Sequence, residues 1–115
     1  MILMLIMNTN ILFPTRLHQL REERSLYQKQ VAEALSIDTP MYCRIEKGER
    51  KAKREQVIML ADALNADREE LLALWLADQV TTVLSSEKPI ANKALSIVSK
   101  HISEIREHHG KEQKI

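Results

Sequence analysis

Two short runs of helical periodicity between Gln28 and Gly48 restrict the fold of this 115-residue chain more than any other feature. The first, Gln28 to Leu35, places Val31, Ala32 and Leu35 on one face at i, i+1 and i+4 spacing. The second spans about Thr39 to Lys47, and Ser36, Ile37 and Asp38 break the periodicity between them. Helices of two turns do not persist alone in water, so the pair must pack against a larger body. Asp38 or Thr39 suits the cap of the second helix, with Pro40 in its first turn, where a missing N–H costs nothing. Gly48 suits its end, being able to take a positive φ.

The remainder reads as helix as well. Only two Gly and three Pro stand among abundant Leu, Ala, Glu, Lys, Arg and Gln, and no period-two β-branched run appears, so no sheet is expected. A helix from about Pro14 to Arg24 carries Leu17, Leu20 and the Arg24 stem, with Thr15 as its cap; Ser25, Leu26 and Tyr27 connect it onward. Val57, Leu60, Ala61 and Leu64 mark a fourth helix from about Arg54, ended by Asn65. Asp67 caps a fifth, with Glu69 and Glu70 in its first turn, running to about Ser85. After a turn over 85–89, a last helix shows Ile90, Ala94, Ile97, Val98, His101, Ile102 and Ile105 on one stripe. The expected organisation is an arm over 1–13, a domain over 14–76, a helical region over 77–109 and a disordered tail over 110–115.

This length favours a binding module over an enzyme with its own substrate pocket. No nucleophile with a base, phosphate loop or metal motif appears, and neither a cofactor nor a metal is expected. The net charge of +1 gives no argument for nucleic acid by itself. Locally, however, Arg44, Lys47, Arg50, Lys51, Lys53 and Arg54 face only Glu46 and Glu49 between 44 and 54, a run that fits a polyanion contact or a solvated face. The single cysteine, Cys43, excludes an intramolecular disulfide and points to a reducing, cytoplasmic setting. The apolar run 1–7 is too short to span a membrane and lacks signal-peptide features. It reads as translation from an upstream start with true initiation at Met7, as a floppy arm, or as a strand packed on a dimer partner.

The segment LYQKQVAEALSIDTPMYCRIEKGER, Leu26 to Arg50, resembles the DNA-binding domain of the phage lambda repressor/Cro family, the Xre-type regulators. Gln28, the Val31–Ala32 pair, Leu35, Ser36, Ile37, Ile45, Glu46 and Gly48 stand in the family's register, and the likeness covers about 15–76. It implies an all-α fold: a five-helix lambda-repressor-like DNA-binding domain, here with an additional C-terminal helix. Ala32 is small where the two helices cross, and Ile37 drops between them.

The resemblance implies base reading from the start of the recognition helix, by Thr39, Pro40, Met41, Cys43 and Arg44. Arg44 is the strongest of these, since a guanidinium engages guanine O6 and N7 bidentately, while Thr39 and Met41 suit a thymine methyl. The family often carries Gln at positions 39 and 40 and this chain does not, which leaves the operator open. Gln28 matches the family's phosphate-gripping residue, with Lys47, Arg50 and Lys51 on the other side. Lys53 and Arg54 extend that clamp or stand as solvated charges. Glu46 is implied to pair with Arg21 as a structural ion pair. Tyr42 is read as a buried ring with its hydroxyl at the surface, Cys43 as packing rather than a redox switch, and His101, His108 and His109 as a polar helix end.

Beyond Leu72 the chain displays more apolar surface than one small domain can hide. A homodimer interface is expected from Leu76, Val80, Val83, Leu84, Ile90, Ile97, Val98 and Ile105, unless the last helix folds back on its own domain. The overall expectation is a regulator, a repressor or autoregulator, binding double-stranded inverted-repeat DNA as a dimer, with no membrane. Two alternatives remain: an antitoxin or restriction-modification operon regulator that also binds a partner protein, and a protein-interaction adaptor on the same fold.

Overall fold

A computed structural model describes the backbone of residues 11–113 and the side chains as far as residue 106. The expectations for residues 1–10 lie outside the described residues. Within them the chain is helical throughout: α1 (Leu12–Glu23), α2 (Gln28–Ala34), α3 (Thr39–Glu46), α4 (Arg54–Ala63), α5 (Arg68–Leu84) and, after a 3₁₀ turn over Ser85–Glu87, α6 (Lys88–Gln113). It divides into two units, one ending at Val83 and the other starting at Leu84.

Helix α1 starts two residues before the expected Pro14, and Thr15 lies inside it rather than capping it. The reason is distant in sequence. The backbone N–H groups of Leu12 and Phe13 donate to the Asp78 carboxylate at 3.1 and 2.9 Å, and Pro14 has no N–H to satisfy. Asp78 is only 4% exposed and thus supplies the cap that Ile11 lacks. Phe13, expected in a loose arm, is core.

The first four helices end alike. In each, the residue after the cap takes a left-handed conformation: Ser25 (φ 53°), Ser36 (φ 57°), Gly48 (φ 80°) and Asn65 (φ 51°). Its N–H and that of the next residue return to carbonyls in the last turn, as in Ser36 to Glu33 and Ile37 to Ala32, both at 3.1 Å. These paired bonds turn the chain sharply and allow connections of only a few residues. The N-termini are handled locally as well: Asp38 and Asp67 accept from Met41 and Glu70 (2.8 and 3.1 Å), while Gln30 and Gln56 reach back to the N–H of Tyr27 and Lys53.

Phe13, Leu17 and Leu20 of α1 meet Val31, Ala32 and Leu35 of the second helical segment, Tyr42 and Ile45 of α3, Val57, Leu60, Ala61 and Leu64 of the fourth, and Leu71 of α5. Each buried Leu or Ile contributes about 2 kcal/mol of apolar transfer, which lets the two-turn α2 and α3 persist. Arg24 donates from Nε to the Leu64 carbonyl and from Nη2 to that of Asn65 (3.2 Å), closing the end of α4.

The expected boundary at 76/77 falls within uninterrupted α5, and the first unit extends to Val83 because Trp75 and Asp78 both bind into it. In the second unit α6 continues through Gly110 to Gln113, past the point where a tail was expected. Its apolar residues Ile90, Leu95, Ile97, Val98, Ile102 and Ile105 are all largely exposed. Among the described residues, no helix is long and apolar enough to cross a membrane, and no His, Cys, Asp and Glu cluster is arranged to hold a metal ion.

Candidate nucleic-acid interface

Helix α3 is held by its inner face and presents its outer one. Tyr42, Ile45 and Glu46 are buried, with Tyr42 and Ile45 packed in the core. Pro40, Arg44 and Lys47, spaced i, i+4 and i+7, are exposed, and Thr39, Met41 and Cys43 are half-buried at their margins. Arg44 makes no described side-chain ion pair and projects from a helix whose start is fixed by the Asp38 cap.

Behind that helix lies a charge cluster built around the buried carboxylate of Glu46. Arg21 reaches the Glu46 carboxylate with Nε (2.9 Å) and Nη2 (2.8 Å), a two-pronged contact, and donates from Nη1 to the Leu26 carbonyl at 2.9 Å. His18 Nδ1 stands 2.7 Å from the same carboxylate, a contact unforeseen in the sequence. Burial alone would raise the Glu46 pKa, but the Arg21 and His18 hydrogen bonds outweigh it and hold the carboxyl at about 2 against an ordinary 4.5. The Tyr42 hydroxyl does not reach the surface as expected. It is buried beside Glu46 without a well-formed hydrogen bond, and burial first, then the adjacent carboxylate, push its pKa well above the usual phenol range. The cluster ties α1 to the inner side of α3 and so fixes which face of α3 points outward.

The connection after α3 is equally constrained. The N–H groups of Glu49 and Arg50 both donate to the Arg44 carbonyl (2.9 and 3.2 Å), which folds the chain back over the helix end. Ala52 is buried, and its carbonyl accepts from the Trp75 indole at 2.8 Å. Arg50, Lys51, Lys53 and Arg54 are exposed, with Lys51 Nζ 3.2 Å from Gln79 Oε1 on α5. Gln28 opens α2 half-buried, next to the strongly exposed Tyr27. The first unit thus offers an outward face on α3 and a run of cations directly after it.

The residues expected at an interface between copies fall in both units. Leu76, Val80 and Val83 are exposed on α5, Leu84 is half-buried, and Ile90, Ile97, Val98 and Ile105 are exposed on α6. Leu95 belongs with them and was missed, although Ala91, Leu95, Val98, Ile102 and Ile105 follow a four-three spacing in the sequence itself. Asp78 and Trp75 were missed as well. Asp78 was detectable as the one acidic residue in the largely apolar stretch 71–84, although its partners were not.

No curated protein and no solved structure matches the chain. A family model described as a helix-turn-helix domain does match, over residues 13–74, from the core residue Phe13 to the turn of α5 just before Trp75. These limits enclose all four left-handed helix ends, the buried Glu46 cluster and the outward face of α3, more than half of the sequence, and the chain therefore belongs to the helix-turn-helix domain family.

Proposed function

We propose that this protein is a transcriptional regulator of the Xre type that binds operator DNA through α3 and has a binding rather than a catalytic role. The observation that carries this reading is the outward face of α3, with Arg44 exposed at its centre and a buried ion cluster bracing its back. Arg44 reads guanine, Thr39, Pro40, Met41 and Cys43 line the same groove, and Gln28, Lys47, Arg50, Lys51, Lys53 and Arg54 hold phosphates on either side. Arg21 and Glu46 act on DNA only by orienting the helix.

The exposed apolar residues of α5 and α6 support self-association. A two-fold dimer sets two recognition helices about 34 Å apart, the spacing of successive major grooves, and so selects an inverted repeat. In a second reading those residues also receive another protein, as in an antitoxin that regulates its own operon; the row of exposed apolar residues along α6 favours it.

The experiment is selection of duplex fragments at stated salt, followed by titration of wild type and Arg44→Ala on the selected site and on random DNA. Arg44→Ala should lose about 1 to 3 kcal/mol on the selected site and much less on random DNA. Equal losses on both would reduce Arg44 to a phosphate contact, and no duplex binding by wild type would refute the regulator.

A further inference from the structure

Helix α5 bears two side chains that act on the basic segment after α3. Trp75 donates its indole N–H to the carbonyl of buried Ala52 at 2.8 Å, and one turn on, Gln79 receives Lys51 Nζ at 3.2 Å. Trp75 is half-buried against the core. Its ring packs on the core while its N–H finds a partner in the loop backbone, so one side chain joins the two. From Gly48 to Lys53 the chain has no regular structure, and three of its six residues are basic. Its backbone is held at two places: the Glu49 and Arg50 amides on the Arg44 carbonyl, and Ala52 on Trp75. The first anchor belongs to α3 and the second to α5.

We infer that Trp75, seconded by Gln79, is a positioning residue for phosphate binding: it sets the height and direction of the segment that carries Arg50, Lys51 and Lys53. The inference rests on the DNA-binding reading but concerns residues beyond the recognition helix. Without the indole bond, Ala52 loses its only described polar tie, and a loop of long, flexible cations must be ordered by the DNA itself. The consequence falls on the electrostatic part of binding and leaves base choice alone, because α3 keeps its own cap and its own brace.

The decisive variant is Trp75→Phe, which keeps an aromatic ring and removes the donor. The slope of log K against log salt should become shallower by about 1 to 3, one for each of the three cations that no longer reaches a phosphate. Selected and random duplexes should weaken by the same factor. A purely structural Trp75 would lower the melting temperature and leave the slope of the folded protein unchanged, which overturns the inference. In a background of Arg50→Ala, Lys51→Ala and Lys53→Ala, Trp75→Phe should add little further change, and full additivity would equally refute the idea.

A readout free of DNA separates this inference from the regulator reading. Amide exchange of Glu49 and Arg50 should quicken in Trp75→Phe while amides in the buried part of α4 stay protected. Unchanged loop exchange overturns the positioning role even if wild type binds DNA. Faster loop exchange with no DNA binding by wild type would sink the regulator reading and the phosphate role while leaving the loop anchor intact. Should Trp75→Phe fail to fold, Gln79→Ala, one turn further along the same helix, should still shallow the slope by about 1, and an unchanged slope there would overturn the inference.

Discussion

Replacing Glu46 by Gln separates the charge of the buried cluster from its shape. Gln is nearly isosteric with the protonated carboxyl, so the variant imitates what acid does to the wild-type protein. In the folded state the Glu46 carboxyl sits at about 2, against an ordinary 4.5 once its partners are gone. A folded value below the unfolded one means that the unfolded chain binds the proton more readily. The stabilisation is therefore complete above pH 4.5 and disappears as the pH falls through that value toward 2. The gap corresponds to about 3 kcal/mol at neutral pH, at 1.36 kcal/mol per pH unit. Its scale agrees with the loss of about 3 to 5 kcal/mol seen when one partner of a buried ion pair is removed. The side chain is only 4% exposed, so salt screens little of it. Urea unfolding of both proteins at several pH values is the assay. At pH 7 the Gln variant should unfold at a midpoint lower by about 2 M, taking a slope of roughly 1.5 kcal/mol/M. By pH 2 most of the difference should be gone. A variant equal to wild type at pH 7, or a gap that stays constant down to pH 2, would refute a charge-based brace behind α3.

Other substitutions test the remaining features. Asp78→Ala leaves the N–H groups of Leu12 and Phe13 without acceptors and should cost about 2 kcal/mol in thermal or urea unfolding. A fragment ending at Val83 should fold and self-associate more weakly than the full chain, since it keeps Leu76, Val80 and Val83 but loses the apolar residues of α6, whereas one ending at Trp75 lacks Asp78 and should be less stable by a similar amount; a 1–83 fragment that dimerises as tightly as the full chain in sedimentation would contradict a contribution from α6. Ser36→Gly removes a side chain from a left-handed residue and should stabilise by about 0.5 to 1 kcal/mol, while Ser36→Val should destabilise; both are read by urea midpoint.

Legibility in the sequence followed the range of the interaction. The two-turn helices, the Asp38 and Asp67 caps and the positive φ of Gly48 and Asn65 rest on neighbours within a few residues, and each was readable from composition and spacing. Ser25 and Ser36 take the same left-handed conformation without a Gly or Asn to signal it. There the geometry is imposed by Leu26 and Ile37, whose burial against the core requires the chain to turn. The first residue of α1 was misplaced because its cap lies 66 residues away, and no local pattern announces such a partner. Likewise the exposed face of α3 follows from helical periodicity, whereas the anchoring of the segment after it depends on Trp75, 23 residues further on. The Tyr42 hydroxyl was placed at the surface on the expectation that a phenol seeks water, but close packing around Glu46 prevailed.

The distance between Asp78 and the start of α1 also bears on how the protein comes into being. A ribosome delivers Leu12 and Phe13 long before the carboxylate that will receive them, and a further stretch must clear the exit tunnel before that side chain is free to act. Until then the opening turn of the bundle has donors facing water and Phe13 has no finished pocket. Helix α1 therefore completes its docking late in synthesis, and its first turn is sealed by one of the last residues of its own unit to emerge.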